Sequence, residues 1–322
     1  MRGMVKMAKE IGGYFELERF HSKEYYSDLL ALNSARNALQ YLVKAKNIRK
    51  LYIPYFLCDS VYLLCDKYGY EYEFYSIKSD FTPDFNGELC ADEYLYVVNF
   101  FGQLTDECLI ELKKEYENII VDNVQAFFRK PVSGIDTLYC CRKFFGVPDG
   151  AYLSTAAVLN EPLEKDKSKD RMTHILGRFE ESASEYYKAF QENEHYYENM
   201  PLRTMSELTH NLLRAIDYDF VLSARSRNFE ALHRLLGEKN LLTPRFNEGA
   251  YCYPLYIKNG MAIKKELAKK SIFVPTLWPN AAELKGTLEC DYAENILPLP
   301  VDQRYTEEDM AYMAQEIMNF TK

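Results

Sequence analysis

The feature that most constrains this fold is the alternation of short apolar runs with helical patterns over the first two-thirds of the chain. Helical spacing over 34–45, with Ser34 as N-cap, and over 106–117 predicts two helices between these runs. The predicted strands span 51–54, 72–76, 94–99, 119–121, 137–140 and 151–154. Strands that alternate with helices form a mostly parallel sheet flanked by helices, so the sequence predicts an α/β fold.

The last third of the chain predicts a smaller C-terminal α/β domain. Residues from about 161 to 218 are charged and helical in pattern, without a strand signal. The remaining predicted elements are helices over 220–235, 262–270 and 306–320 and strand-like runs at 250–257, 272–276 and 296–300. We therefore divide the chain into a large domain, residues 1–220, and a small domain, residues 221–322.

Composition and charge exclude two classes of partner. The chain of 322 residues is 48% hydrophobic and has a net charge of −9, with acidic and basic residues interspersed. An acidic surface repels nucleic acids and anionic membranes, so neither is an expected partner. No apolar run approaches the ~20 residues of a membrane span.

The cysteines indicate a reducing compartment. The eight of them are scattered, with no CxxC pair and no Cys/His cluster at zinc-ligand spacing, so no metal site is predicted. In a chain of this size they are typical of reduced thiols rather than of a disulfide framework. The N-terminal residues 1–9 lack the apolar core of a signal peptide, so the expected location is the cytoplasm.

Two neighbouring segments place an aspartate and a lysine in a pattern that suits a cofactor. The apolar run 118–128 carries Asp122 at its strand end, and the segment 136–150 carries Lys143 in a loop rich in glycine and aromatic residues. Pyridoxal 5'-phosphate (PLP) needs a lysine amine for its Schiff base and an acid that keeps the pyridine nitrogen protonated. The order strand, Asp, loop, Lys therefore predicts a PLP site.

Each of these residues also has an ordinary interpretation. Most lysines are solvated surface residues, and an Asp after a strand is most often a turn or helix cap. Here, however, Phe144, Phe145 and Pro148 surround Lys143 with apolar groups. Burial in such a loop would lower the pKa of the lysine and make its amine nucleophilic. The combination favours the functional interpretation.

Three motifs around these residues carry a resemblance to a known family. Ser34-Ala35-Arg36-Asn37 resembles a Ser-Gly-Thr-Ala turn, and Asp122 with Gln125 resembles Glu-Asp-Ala-Ala-Gln-Ala. Lys143 followed by Asp149-Gly150 resembles a Lys followed by Gly-(Glu/Asp)-Gly-Gly. These are motifs of the DegT/DnrJ/EryC1/StrS sugar aminotransferases, which are PLP-dependent enzymes of fold type I. Five further segments support the resemblance, at 53–56, 98–103 and 205–208 and, in the C-terminal part, at 274–279 and 296–300.

The resemblance implies a function and a set of site residues. It implies a PLP-dependent aminotransferase of sugar and polysaccharide biosynthesis, acting on a keto-sugar of nucleotide-sugar type, with glutamate as a plausible donor and a homodimer as the working form. Lys143 would be catalytic, and the fold would be the PLP-dependent transferase fold type I. The residues implied to bind the cofactor are Asp122, Gln125, Ser34, Ala35, Arg36, Asn37, Cys140 and Lys143. Phe56 and Trp278 are candidate substrate contacts, although Trp278 also suits the core.

The sequence departs from the family pattern at four positions. Ala35 stands at the turn Gly, Cys140 at a phosphate-binding Ser, Cys58 at a ring-stacking aromatic and Leu202 at an Asn that reaches across the dimer. These departures leave open a degenerate family member that binds a ligand or partner without turnover. A second alternative is another PLP chemistry, such as that of a lyase. The family's sugar dehydratases carry His in place of the lysine, so Lys143 argues against that branch.

Overall fold

One large mixed sheet forms the centre of the molecule. The computed structural model describes residues 11–320, and eight strands of this range form the sheet in the order β1-β8-β7-β6-β5-β2-β3-β4. The strands are β1 Leu30–Leu32, β2 Lys50–Pro54, β3 Glu71–Ile77, β4 Pro83–Asp84, β5 Glu93–Val98, β6 Ile119–Asp122, β7 Asp136–Cys140 and β8 Ala151–Ser154.

Five adjacent strands of this sheet are parallel. The strands β7, β6, β5, β2 and β3 pair in parallel, whereas β1, β8 and β4 pair antiparallel at the two edges. The central strands are short and almost wholly buried, which is typical of a parallel sheet covered on both faces. The predicted mostly parallel sheet flanked by helices is confirmed.

Ten α-helices of the described range cover the sheet and build much of the C-terminal part. They are α1 Ala35–Lys46, α2 Asp59–Tyr68, α3 Asp106–Tyr116, α4 Thr173–Glu180, α5 Tyr187–Asn199, α6 Glu207–Leu213, α7 Tyr218–Leu236, α8 Gly260–Lys269, α9 Leu288–Asn295 and α10 Glu307–Phe320. Helix α1 begins as predicted, because Ser34 Oγ accepts a hydrogen bond from Asn37 N at 3.1 Å. It ends at Asn47, whose left-handed backbone stops the helix.

The C-terminal part has an apolar core of its own. Strands β9 Cys252–Tyr256 and β10 Ile296–Pro300 form an antiparallel pair. Helix α7 packs against β9 and α8 against β10, and α10 packs on both helices. The buried residues of this core run from Phe229 to Ile317. Helix α7 begins at Tyr218, so the predicted division after residue 220 falls in its first turn.

The structure corrects the predicted elements of the C-terminal part. The predicted strand 272–276 is wrong, since this segment is irregular backbone. Val274 is buried in the second core, which explains the apolar pattern, but Ser271 has a left-handed φ of 60° and Pro275 lacks an N–H for a ladder. Helix α9, which the sequence did not predict, lies between this segment and β10, and Thr287 caps its first turn.

Candidate functional site

The carboxyl edge of the parallel strands brings the predicted aspartate and lysine together. Asp122 is the last residue of β6 and pairs in register with Val98 of β5 and Leu138 of β7. Lys143 ends a 3-10 turn, Cys141–Lys143, that follows β7 directly. The two side chains lie close enough for each charge to change the pKa of the other. Ligands of open parallel sheets bind at this edge.

Asp122 is buried and held by two hydrogen bonds. Its Oδ2 accepts from the Tyr96 hydroxyl at 2.7 Å, and its Oδ1 accepts from Val124 N at 2.8 Å. Burial raises the pKa of Asp122, and these two bonds together with Lys143 only partly counteract that rise. A cationic ligand group beside Asp122 would therefore stabilise the carboxylate strongly.

Lys143 points its amine toward an aromatic ring of the C-terminal part. Nζ lies 5.5 Å from the centroid of the Tyr251 ring, and among the described residues it has neither a hydrogen bond nor a salt bridge. Burial alone would lower the pKa of Lys143, but Tyr251, Cys140, Cys58 and Asp122 together raise it above the ordinary value. The predicted lowering of this pKa is therefore wrong for the protein without a ligand.

Gln125 is a buried side chain with one amide group unused. Its Oε1 accepts from Phe101 N at 2.7 Å, whereas its Nε2 is buried without a partner. Phe101 holds this position with a left-handed φ of 56°, which a phenylalanine adopts only under strain. The arrangement fixes the Gln125 side chain and leaves a donor available to a ligand.

The first turn of α1 adjoins the loop that follows Lys143, because Gly150 N donates to the Asn33 carbonyl at 2.9 Å. The Ser34 hydroxyl and the Asn37 N–H bond each other, and the Asn37 side-chain amide donates to Asn33 and to the Pro201 carbonyl, both at distances below 3 Å. Arg36 donates from Nη1 to the Tyr197 carbonyl, but its Nε is buried without a partner. Burial lowers the pKa of Arg36. Ala35 is half-buried and starts the helix.

Asp149 ties the lysine loop to α6. The carboxylate is fully buried and accepts from Ser206 N at 2.9 Å and from Ser206 Oγ at 2.6 Å. Gly150 follows with a φ of 117°, and a Cβ there would lie 3.0 Å from the Thr209 side chain. The chain therefore needs glycine at this turn, which connects the lysine loop to β8.

The candidate Cys140 and the departure Cys58 both lie near the lysine. Cys140 is the last residue of β7 and is buried, and Cys58 precedes α2 and is half-buried. Both contribute to the electrostatic surroundings of Lys143. The role of Cys140 at the cofactor stays a prediction.

Phe56 and Trp278 pack against each other rather than lining an open surface. Their rings lie 4.6 Å apart in an edge-to-face contact, and Phe100 packs on both. Both belong to the large core. Their predicted contact with a substrate stays a prediction, without an exposed surface to support it.

Sequence reasoning missed two tyrosines of the site, Tyr96 and Tyr251. Tyr96 had a usable signal, because it lies two residues before Val98, the register partner of Asp122, and so shares its face of the sheet. Tyr251 had no local signal, since it reaches Lys143 through tertiary packing alone.

Two further features concern the described range 11–320 as a whole. No helix in it combines the length and the apolar character that crossing a membrane requires. Nor does it contain three or more His, Cys, Asp or Glu side chains gathered as ligands for a metal ion.

The fold is similar to that of solved aminotransferases. A DegT DnrJ EryC1 StrS aminotransferase from Brucella abortus matches with a TM-score of 0.61 at 15% identity, over 91% of this chain and 85% of that chain. DesV from S. venezuelae, in complex with a ketimine intermediate, matches with a TM-score of 0.64 at 16% identity, over 91% of this chain and 84% of that chain. Spr1654 from Streptococcus pneumoniae, in its PLP-form, matches with a TM-score of 0.62 at 15% identity, over 90% of this chain and 86% of that chain.

No protein-family model matches the sequence, and no curated protein matches it either. At 15–16% identity, the three structures establish that the chain has the fold of these aminotransferases.

Proposed function

We propose that this protein is a PLP-dependent aminotransferase. The observation that carries the proposal is the meeting of Lys143, Asp122 and Gln125 at the carboxyl edge of one parallel sheet. The fold supports it, because the similar structures are aminotransferases and one of them is a PLP-form. Sites at this edge of an α/β sheet take ligands with a phosphate and a planar ring.

The unpartnered polar atoms fit the two ends of PLP. Gln125 Nε2, buried and without a partner, suits a ring hydroxyl oxygen. Arg36 Nε, also buried and without a partner, suits a phosphate, and it lies in the first turn of α1, where the helix dipole favours an anion. Buried donors without acceptors cost free energy, so a ligand that satisfies both would be stabilised.

The residues of the chain have distinct tasks in this proposal. The Lys143 amine would hold the cofactor covalently and, once released, would move a proton at the amino-bearing carbon of the substrate. Asp122, oriented by Tyr96 and Val124 N, would hold the proton on the pyridine nitrogen. When bound, PLP supplies an electron sink for that substrate carbon.

The finer parts of the proposal concern substrate, location and domains. The resemblance of the sequence motifs supports a keto-sugar acceptor of nucleotide-sugar type, with glutamate as the donor. All eight cysteines are free thiols, which supports a reducing compartment such as the cytoplasm. The separate core from Phe229 to Ile317 supports a small C-terminal domain, residues 221–322, beside a large domain, residues 1–220.

Purified protein mixed with PLP should develop the visible absorbance of a lysine-bound cofactor. Borohydride reduction followed by peptide mass mapping should then find the pyridoxyl group on Lys143, because no other described lysine lies beside Asp122 in this way. The matched variant Lys143→Arg keeps the charge and should abolish the band. A label found reproducibly on another lysine would contradict the assignment.

Glutamate separates the possible functions of a PLP-bound protein. An aminotransferase loses the band when glutamate is added and releases 2-oxoglutarate in proportion. A lyase keeps the amino group in another product, so the absence of 2-oxoglutarate would favour that chemistry. Complete absence of the band at saturating PLP would favour a degenerate binding protein, as Cys58 and Cys140 suggest.

We expect a homodimer in solution. Large apolar side chains of the segment near the N-terminus, Ile11, Tyr14 and Phe15, are almost fully exposed, and Phe179 of α4 is largely exposed as well. A second copy of the chain would bury such surface. Light scattering at micromolar concentration should therefore give twice the mass of the chain. A monomer under these conditions would count against the dimer.

A further inference from the structure

A buried arginine links the C-terminal part of the chain to the loop that carries Lys143. Arg225 of α7 is only 2% exposed, and its guanidinium uses all three nitrogens. Nη2 donates to the Phe144 carbonyl at 3.2 Å, Nη1 donates to the Ala250 carbonyl at 3.0 Å, and Nε donates to Gln303 Oε1 at 2.9 Å. One side chain therefore connects three separate segments.

Two of these segments flank the lysine amine. Phe144 follows Lys143 directly, and its carbonyl accepts a second hydrogen bond from Gln303 Nε2 at 2.9 Å. Ala250 precedes Tyr251, whose ring faces Lys143 Nζ. The Phe144 ring fills the space between the segments, 5.9 Å from the Tyr251 ring and 4.6 Å below the Arg225 guanidinium. Arg225 thus fixes both the lysine and the ring that its amine faces.

Burying the charge of Arg225 costs free energy, so the stability of the fold alone does not explain why this residue is an arginine. No described carboxylate forms a salt bridge with it, and the nearby Asp302 is chelated by Arg304 at 2.7 and 2.9 Å. Burial lowers the pKa of Arg225 to about 10, so the guanidinium is still charged at neutral pH. Apolar side chains of similar volume often replace buried ions without loss of stability. The planar guanidinium donates hydrogen bonds to several carbonyls in fixed directions, and an apolar residue cannot do so.

We propose that Arg225, together with Gln303, is a positioning residue that holds the Lys143 amine against the Tyr251 ring. Arg225 and Gln303, which donate to the Phe144 carbonyl, and Tyr251, which faces the amine, all belong to the C-terminal part. The packing of that part therefore controls the reactivity of the lysine. The proposal rests on the proposed function for its catalytic meaning, but the contacts exist without a cofactor.

The test measures Lys143 itself in cofactor-free protein. Competitive labelling with isotope-coded acetic anhydride, followed by peptide mass spectrometry from pH 6 to pH 11, reports the titration of this one amine. The variants are Arg225→Lys, which keeps the charge without the fork, and Gln303→Leu at a half-buried position. The matched control is Arg304→Lys, which neighbours Gln303 and contacts neither Phe144 nor Tyr251.

Both variants should bring the titration of Lys143 closer to that of an ordinary lysine. Since the surroundings raise this pKa, a loosened loop lowers it, and labelling at neutral pH should become severalfold faster. The control should label like the unchanged protein. Unchanged Lys143 labelling in whichever of the two variants folds, as judged by circular dichroism, overturns the proposal. The labelling uses cofactor-free protein, so its outcome does not depend on whether the protein binds PLP. The failure of this proposal and the failure of the proposed function can therefore be distinguished.

Discussion

Asp122→Asn should reduce amino transfer by at least about 10²–10³-fold, the size of effect seen when one preorganised electrostatic group is removed from an active site. The Asp122 carboxylate is buried at the sheet edge and is oriented by Tyr96 and Val124 N. A neutral amide of the same shape cannot hold the proton on a pyridine nitrogen, so the cofactor would lose its capacity as an electron sink. Single-turnover kinetics with glutamate measure the loss directly.

The variant should still fold, which makes the loss interpretable. Because burial raises the pKa of Asp122 above its value in the unfolded chain, the ionised carboxylate opposes folding at neutral pH, and Asn removes that cost. The matched control is Asp136→Asn. Asp136 is a buried aspartate at the start of β7, so it lies at the amino ends of the parallel strands, away from Asp122 at their carboxyl ends. It pairs with Lys46, so its loss should lower stability with little effect on turnover. Turnover close to normal in Asp122→Asn would exclude the proposed role.

Tyr96→Phe tests the same carboxylate through pH. The Tyr96 hydroxyl donates to Asp122 and lowers its pKa, so removing the hydroxyl should raise that pKa further. Activity that needs the carboxylate would then fall off at a higher pH on the acid side than in the unchanged protein. An acid limb that does not move would mean that Asp122 does not limit the reaction.

The parallel sheet was predictable because its strands are short, apolar and separated by helices. The strand that ends in Asp122 and the helix capped by Ser34 were found to within one residue of their limits. The strand predicted over 272–276 failed for a physical reason. An apolar run records that a segment is buried, as Val274 is, but it does not record whether a partner strand lies beside it.

The site was predictable only as far as the strand ends reach. Parallel strands bring their carboxyl ends to one edge, so Asp122 and Lys143 could be expected to meet. Tyr251 and Arg225 could not be expected there, because they approach the lysine from distant parts of the chain through packing. The same limit explains why the sequence predicted a lowered pKa for Lys143, whereas its surroundings raise that pKa. Sequence shows the apolar neighbours that desolvate an amine, whereas the groups that raise its pKa are mostly tertiary neighbours.

Arg36→Ala should weaken PLP binding by about tenfold or more, since a hydrogen bond to a charged group contributes about 1.5–3 kcal/mol. Arg36 Nε is buried, without a partner, in the first turn of α1, where a phosphate is favoured. Titration of the cofactor-free protein measures the affinity. Lys44→Ala, at the other end of the same helix, is the matched control and should have no effect.

Pyridoxal, which lacks the phosphate, distinguishes a direct contact from an indirect one. Arg36 also donates to the Tyr197 carbonyl, so Arg36→Ala could act by loosening α5. A direct contact predicts that the variant loses affinity for PLP but not for pyridoxal, whereas an equal loss for both ligands would assign Arg36 to the support of α5.

Cys140→Ser is the opposite change at the end of β7, because a hydroxyl donates to a phosphate more strongly than a thiol does. It should tighten PLP binding relative to the unchanged protein. If Cys140→Ser leaves the affinity unchanged or lowers it, the phosphate site is not weakened by Cys140. The departures at Ala35 and Cys140 would then not argue for a protein without turnover.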